Sequence, residues 1–211
     1  MTLIRSREFA RQKRSLDVFA RANRGYVYAI SRFDDDDSTI CTFGSMGYRD
    51  DPIKTGIGGV APVTLLSMKN NNKVKASDQI MGGFVAGTEN IGLGKSAVRN
   101  EQQGGAHAEE LFLRKLPQMF DEFGEASKID LFISRIPCAN TSASWSLAAP
   151  GGNVLLPCGC GNKLTAVIQA NPGITWRIWW EEEYPNATTQ AACVAALNGL
   201  RGRAIVERYR G

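Results

Sequence analysis

Hydrophobic residues in the second half of the chain alternate between the period of a helix and that of a buried strand. Apolar residues three and four positions apart predict helices, while short runs rich in β-branched and aromatic residues predict strands. The predicted elements are helix 107–123, strand 129–136, helix 160–170, strand 175–184, helix 188–199 and strand 203–210. This order predicts an α/β fold with a mixed sheet and helices on both faces. Because a helix connects the last two strands, they should run parallel.

The first part of the chain has a simpler pattern. Residues 5–23 place apolar side chains on one helical face and arginines elsewhere, which predicts an amphipathic helix. Strands are predicted at 26–33 and 39–45. Four successive aspartates, residues 34–37, lie between them. Consecutive side chains cannot readily converge on one ion, so we interpret the aspartates as a solvated turn.

Residues 46–103 have a weaker pattern. We expect a strand at 60–68 with a hairpin after it, so that this stretch supplies the first hairpin of the sheet and a loop lining the site. In the polar loop 96–103, Asn100 is a candidate for contacting a substrate. The Gly-Lys-Ser that opens this loop lacks the first glycine of a phosphate-binding motif, because that position is Glu89. This departure argues against nucleotide hydrolysis.

The composition indicates a globular chain. Its 211 residues are 43% hydrophobic, which is enough for one large domain with its own core. No apolar run approaches the ~20 residues of a membrane helix and no signal peptide opens the chain, so we expect a soluble protein with no membrane partner. Five unevenly spaced cysteines do not make a disulfide framework, which favours a reducing cytosol. Cys41 and Cys193 fit small buried apolar residues.

Positive charge is concentrated at the N-terminus. The first 24 residues carry seven basic and two acidic side chains, whereas the whole chain has a net charge of +4. We therefore separate an N-terminal basic amphipathic helix, residues 1–25, from a main domain, residues 26–211. The basic segment fits a polyanionic partner such as nucleic acid, although solvated helix faces often have the same composition.

The only histidine of the chain, His107, begins the predicted helix 107–123. Two glycines precede it and Glu109 follows it by two positions, so an imidazole and a carboxylate lie in the first helical turn and can point into one pocket. This arrangement suits hydrolysis at a zinc ion, with the neutral imidazole as a ligand and the glutamate as an unligated proton shuttle. The interpretation as a zinc site depends on further ligands, and cysteines downstream can supply them.

Three cysteines lie near the ends of the next predicted strand and helix. Cys138 follows a predicted strand and a proline, and Cys158 and Cys160 lie at the start of a predicted helix. The order His-x-Glu, helix, strand, Pro-Cys and a further cysteine is the signature of zinc nucleobase deaminases. Over residues 104–210, the predicted zinc-binding core of the main domain, the chain resembles the cytidine deaminase-like superfamily. Within that superfamily it looks closest to the bacterial polymorphic-toxin deaminases that act on nucleic acid.

The second cysteine departs from the family pattern. The family places it three residues after the first, where this chain has Thr141. Either Cys158 or Cys160 must then supply the ligand, across an insertion of about twenty residues that folds back to the site. We favour Cys160, because a helix N-terminus lowers the pKa of a thiol and so favours the thiolate that zinc needs. Cys158 remains the alternative.

The resemblance implies a mixed five-stranded sheet, with the last two strands parallel, and a Zn²⁺ cofactor in a deaminase domain. His107, Cys138 and Cys160 would hold the zinc. Glu109 would be the catalytic residue that moves protons as cytosine becomes uracil. We interpret residues 139–149, which follow the first zinc cysteine, as a short helix or loop. Trp145 in this segment is a candidate for stacking on a flipped base.

The resemblance and the basic first helix favour a nucleic-acid substrate, with single-stranded DNA ahead of RNA or duplex DNA. The resemblance also implies a toxin domain of a larger polypeptide, secreted or injected into another cell and held in check by an immunity protein. Two other functions stay open. One is a deaminase of free nucleosides or nucleotides, and the other is a non-catalytic binding module stabilised by zinc.

Overall fold

The computed structural model describes residues 2–22, 26–45, 107–142, 144–149 and 152–211. The helices are α1 (Arg7–Ala22), α2 (Ala108–Phe123), α3 (Cys160–Ala170) and α4 (Ala187–Asn198). The strands are β1 (Val27–Phe33), β2 (Asp36–Ser45), β3 (Lys128–Arg135), β4 (Trp145–Ala149), β5 (Gly152–Leu156), β6 (Thr175–Glu182) and β7 (Ala204–Arg208). The helices and strands listed above for the second half of the chain are confirmed, with ends that agree to within two residues. In the parts that the structure describes, no helix is both long and apolar enough to cross a membrane.

Side-chain caps fix where two of the helices begin. Ser6 precedes α1, and its Oγ accepts a hydrogen bond from the backbone N–H of Phe9. Asn186 precedes α4, and its side-chain oxygen accepts from the backbone N–H of Thr189 at 3.0 Å. Each cap satisfies a donor of the first helical turn that has no partner within the helix, so the start of the helix is written in the local sequence.

Five of the strands form one mixed sheet in the order β2-β1-β3-β6-β7. Strand β1 pairs antiparallel with β2 and with β3. Strands β3, β6 and β7 pair parallel to one another. The mixed sheet and the parallel pairing of the last two strands are therefore confirmed. The connections through α3 and α4 account for the parallel pairs, since parallel neighbours need a crossover.

The sheet is covered on both faces. On one face, α2, α3 and α4 contribute to a large apolar core that also contains Trp176 and Trp180 of β6. On the other face, Phe9 and Leu16 of α1 pack in a second cluster with Trp179. Alternate residues of a strand point to opposite faces, which explains how one strand supplies tryptophans to both cores. The predicted helices on both faces are confirmed.

The first hairpin of the sheet differs from our expectation. We assigned it to residues 46–103, but β1 and β2 form it from residues 27–45. The connection between them is short, because Asp34 and Asp35 both adopt positive φ angles, 48° and 61°. Asp tolerates this left-handed conformation better than most residues. The strand expected at 60–68 lies outside the described residues.

A second hairpin replaces a segment that we expected to be a short helix or loop. We interpreted residues 139–149 in that way, but β4 and β5 form a two-stranded antiparallel sheet in which Ala149 pairs with Gly152. The physical reason lies in the residue after β4. Proline disfavours helical φ and ψ angles in the residue before it, so Pro150 keeps Ala149 extended.

The four aspartates are more than a solvated turn. Asp35 and Asp37 form ion pairs with the buried guanidinium of Arg32, at 3.0 and 2.8 Å. Arg32 also pairs at 2.9 Å with Asp130 on β3, whose side chain is 1% exposed, and Arg177 on β6 pairs with the same carboxylate. We called the turn solvated from local sequence alone, which does not reveal that Arg32 is buried there or that the sheet brings Arg177 beside it. These pairs join β1, β3 and β6 at one end of the sheet.

Replacing Asp130 with asparagine should lower the free energy of unfolding by about 3 kcal/mol, because it leaves two buried or half-buried guanidinium groups short of an anion. Urea unfolding measures this loss. The control is Glu207→Gln on β7, an exposed position whose change should stay within about 0.5 kcal/mol. Equal unfolding midpoints for the two variants would contradict a structural role for the charged cluster.

Candidate metal centre

His107 immediately precedes α2 and has an extended backbone, with φ −77° and ψ 159°. Its backbone N–H donates to Glu110 Oε2 at 3.0 Å, so a glutamate of the first turn holds the histidine at the helix start. Glu109 and Glu110 both lie in this first turn and are both buried. The His-x-Glu segment therefore places one imidazole and two carboxylates at one helix end, inside the protein.

Cys138 and Cys160 reach the same place from two other elements. Cys138 follows the C-terminal end of β3, and Cys160 is the first residue of α3. The backbone N–H of Cys160 donates to Cys138 Sγ at 3.3 Å. Gly159 makes this approach possible. Its φ is +84°, and a Cβ on it would lie 1.8 Å from the carbonyl oxygen of Ala139.

The insertion between the two cysteines leaves the site and returns to it. The N–H of Gly159 donates to the carbonyl of Ser142 at 2.9 Å, and the N–H of Gly161 donates to the carbonyl of Cys138 at 3.0 Å. These bonds join the two ends of the insertion, and the hairpin β4–β5 lies within it. A cysteine 22 positions after Cys138 thus occupies a place next to it.

The ligand atoms of His107, Cys138 and Cys160 all lie within 4.8 Å of one another. His107 Nδ1 is 3.5 Å from Cys138 Sγ. Zinc held tetrahedrally at ordinary Zn–N and Zn–S lengths separates a nitrogen and a sulfur ligand by about 3.5 Å, and two sulfurs by about 3.8 Å. The three residues could therefore hold a metal ion, and the separation of His107 Nδ1 from Cys138 Sγ matches that of two zinc ligands. Cys158 is exposed and is not part of the group.

Without a metal, the three donors share protons. Burial disfavours a charged imidazole, but the hydrogen bond to Cys138 and the nearby carboxylates outweigh it and raise the pKa of His107 to about 9. The hydrogen bond from Cys160 and the contact with His107 hold the pKa of Cys138 well below its usual range. Burial and the neighbouring thiolate raise the pKa of Cys160. The metal-free site is thus an imidazolium and a thiolate beside a thiol.

Metal binding should release protons near neutral pH. Both the His107 ring, with its pKa of about 9, and the Cys160 thiol must lose a proton to become ligands. Zinc affinity should therefore rise with pH, by up to about a hundredfold per pH unit below pH 9, and more slowly above it. Competition with a chelator of known pH dependence, repeated in roughly half-unit steps from about pH 6.5 to about pH 8.5, measures how zinc affinity changes with pH. An affinity that does not change with pH would contradict this protonation state.

The raised pKa of His107 makes the stability of the metal-free protein fall as the pH rises, whereas zinc affinity increases. A raised folded-state pKa at His107 adds stability that is fully present below the ordinary histidine pKa of 6.5 and is lost as the pH rises through about 9. Metal binding and folding of the metal-free chain therefore respond to pH in opposite directions over this interval.

Glu109 is the carboxylate of this site that lacks a complete set of partners. Its side chain is 3% exposed, and its Oε2 has no hydrogen-bond partner among the described residues. Burial raises the pKa of Glu109 to about 7, although the charge of His107 opposes the shift. A carboxyl group with this pKa can both accept and donate a proton near neutral pH. A buried oxygen without a hydrogen-bond partner is costly, so Glu109 is a candidate for contacting a ligand that binds at this site.

The sequence analysis missed Glu110 and Ser142, which contact the three donor residues, and Lys163, which contacts both of them. Lys163 on α3 is fully buried and pairs with Glu110 at 3.1 Å. Its Nζ also donates to Ser142 Oγ at 2.7 Å. A signal for Lys163 was available. It lies three positions after Cys160 and one before Leu164, on the apolar face of α3, where an exposed lysine is not expected.

The predicted roles of Asn100 and Trp145 in substrate binding stay predictions. Asn100 lies outside the described residues. The backbone of Trp145 begins β4, but the placement of its side chain is also outside what the structure describes. Cys41 and Cys193, interpreted as buried apolar residues, are indeed buried.

Comparisons with protein-family models, with curated proteins and with solved structures find no match for this chain. The resemblance to the cytidine deaminase-like superfamily therefore stays a prediction. The chemistry of the site has to be inferred from its own side chains.

Proposed function

We propose that the chain is a zinc-dependent hydrolytic deaminase that converts cytosine to uracil in nucleic acid, with single-stranded DNA as the favoured substrate. The observation that carries this proposal is the buried Glu109 Oε2, without a partner among the described residues, beside a group of three metal donors. Structural zinc sites are closed by four protein ligands, whereas catalytic sites have three and keep one position open. A structural site also has no use for a buried carboxylate with an oxygen that lacks a partner among the described residues.

The chemistry follows from what each side chain can do. A zinc ion held by His107, Cys138 and Cys160 would lower the pKa of a water molecule in its open position. Glu109 accepts one proton from the attacking water and passes it to the ring nitrogen, and it then accepts the remaining proton of the added hydroxyl and passes it to the exocyclic amine. Water adds at the ring carbon that carries the amine, the C–N bond breaks, and ammonia leaves. Glu109 ends in the protonation state in which it began.

The exposed basic residues support a polymeric, negatively charged substrate. Arginines on the surface of α1 and in the C-terminal segment could contact phosphates without contacting bases. These are Arg7, Arg14, Arg21, Arg201, Arg203 and Arg210, whereas the exposed Arg11 and Arg208 pair with Glu8 and Glu183. Binding that uses such contacts should weaken steeply as the salt concentration rises. The roles of toxin domain and of an immunity protein as partner stay predictions from the resemblance.

One experiment tests the proposed function. The zinc-loaded protein is incubated with single-stranded DNA, duplex DNA, RNA and free cytidine, and cytosine-to-uracil and adenine-to-inosine changes are read by sequencing and by mass. We expect uracil in single-stranded DNA. Uracil formed only from free cytidine would favour a nucleoside deaminase, and inosine would reassign the base. Binding of zinc without any conversion would favour the binding module.

A further inference from the structure

Lys163 is a fully buried lysine, and its environment is unusual for a cation. Its side chain is 0% exposed, and it lies in the first turn of α3, close to the helix end that carries Cys160. A buried ammonium group is costly unless anions and acceptors surround it. A positive charge near a helix N-terminus also opposes the helix dipole. Because burial and the helix dipole both disfavour a charged Lys163, its partners must compensate for both effects.

The partners of Lys163 lead to the candidate metal donors. One is the Glu110 carboxylate, whose other oxygen accepts from the backbone N–H of His107. The second is the hydroxyl of Ser142, whose Oγ lies 3.5 Å from Cys160 Sγ and 3.8 Å from Cys138 Sγ. The ammonium group thus contacts one residue that holds His107 and another that contacts both sulfurs.

The protonation of these groups fixes the direction of the hydrogen bonds. Lys163 can only donate, so Ser142 Oγ must accept from it. The single proton of the hydroxyl then points away from Lys163. When Cys160 is a thiolate, its sulfur is the nearer of the two acceptors for that proton. Cys138 already accepts the backbone N–H of Cys160, so each sulfur would receive one hydrogen bond.

We propose that Ser142 tunes the metal centre by donating a hydrogen bond to the Cys160 thiolate, and that Lys163, held by Glu110, orients the Ser142 hydroxyl for this purpose. The inference rests on the proposed metal centre. A hydrogen bond to a metal-bound sulfur reduces the negative charge that the sulfur shares with the metal, and partners of this kind adjust the affinity and reactivity of metal sites. Ser142 and Lys163 are positioning residues, since neither is expected to touch the substrate.

The test uses the full-length protein loaded with cobalt(II) in place of zinc. The thiolate-to-cobalt absorption band reports the electron density on the sulfurs, which a purely structural role would not change. Ser142→Ala should bind cobalt with the same stoichiometry, and its band should move to longer wavelength. Ser142→Thr keeps a hydroxyl and should restore the band of the parent. The control is Thr165→Val on α3. The hydroxyl of Thr165 donates to the carbonyl of Gly161, so the band of this variant should not move.

Lys163 is tested by removing its charge together with that of its partner. Lys163→Met alone removes the ammonium group that pairs with the buried Glu110 carboxylate, so that variant is compared with the double variant Glu110→Gln and Lys163→Met, which removes both charges. The double variant should show a shift to longer wavelength in the same direction as Ser142→Ala and smaller in size. An unmoved band in Ser142→Ala, with cobalt fully bound, would overturn the proposal, and an unmoved band in the double variant alone would overturn the role of Lys163.

The results separate this inference from the proposed function. If the parent protein shows no thiolate-to-cobalt band, the metal centre itself is wrong, and the proposed function fails with it. If the parent shows the band but Ser142→Ala does not shift it, only the role of Ser142 and Lys163 fails. A Ser142→Thr variant that behaves like Ser142→Ala would also count against the hydroxyl as the cause.

Discussion

Replacing Glu109 with glutamine should abolish turnover and leave the metal bound. Glutamine has nearly the shape of glutamate but cannot take up the proton of the attacking water, and general acid–base catalysis contributes roughly 10² to 10⁴-fold to a rate. A second buried carboxylate, Glu110, lies next in the chain, but it is held by Lys163 and by the backbone of His107. It is therefore poorly placed to substitute. The measurements are the rate of uracil formation on a substrate that the parent protein deaminates, and the zinc content of the purified variant.

The matched control for Glu109 is Glu122→Gln, an exposed position near the end of the same helix. It removes one carboxylate from α2 without touching the site, so it should keep the activity of the parent. If Glu109→Gln retains full activity, the assigned proton transfer is wrong. If it loses zinc as well as activity, Glu109 contributes to metal binding rather than to proton transfer. Neither result would alter the fold.

The candidate metal site could be assembled from sequence because each part of it has a local signal. His107 and Glu109 are two residues apart at a helix start, and Cys138 follows a buried strand. The preference for Cys160 over Cys158 also came from local evidence, its place at a helix start, but the expected lowering of its pKa is wrong, because burial and the neighbouring thiolate raise it. The structure brings His107, Cys138 and Cys160 together and leaves Cys158 exposed.

The contacts around the donors could not be derived in this way. Glu110 and Ser142 are ordinary polar residues in the sequence. The place of Lys163 on an apolar helix face signals its burial, but only tertiary packing shows that it contacts the other two. The same limit explains the four aspartates. Their partners Arg32 and Arg177 are separated in the sequence, and the sheet brings them to one end. Pairing of charges over long sequence distances has no periodic signature, unlike the hydrophobic patterns that predicted the strands and helices.

The fold shows a related contrast between strong and weak patterns. Elements α3 and β6 lie in apolar stretches with clear periods, and their ends were predicted to within two residues. Strand β4 is short and contains two alanines, residues that favour helices, so its extended conformation depends on Pro150 and on pairing with β5. Short strands without a hydrophobic period take their conformation from their partner.

Replacing Cys160 with serine should remove the metal, and replacing Cys158 with serine should leave it in place. The sulfur of Cys160 is buried with the other two donors, whereas Cys158 is exposed. Losing a ligand should lower zinc affinity by more than the roughly 10- to 100-fold that follows loss of a supporting contact. The ratio of zinc to protein after gel filtration, together with competition by a chelator, measures the effect. Circular dichroism checks that both variants keep their helices and strands.

The reverse result would require a large change in the site. For Cys158 to reach the metal, the start of α3 would have to shift by two residues. That shift would break the bonds from Gly159 N–H to Ser142 and from Gly161 N–H to Cys138, which join the two ends of the insertion. It would also place a residue with a Cβ where Gly159 approaches Ala139, at a distance that only glycine allows. A Cys158→Ser variant that loses zinc, while Cys160→Ser keeps it, would therefore contradict the packing of this loop as well as the choice of ligand.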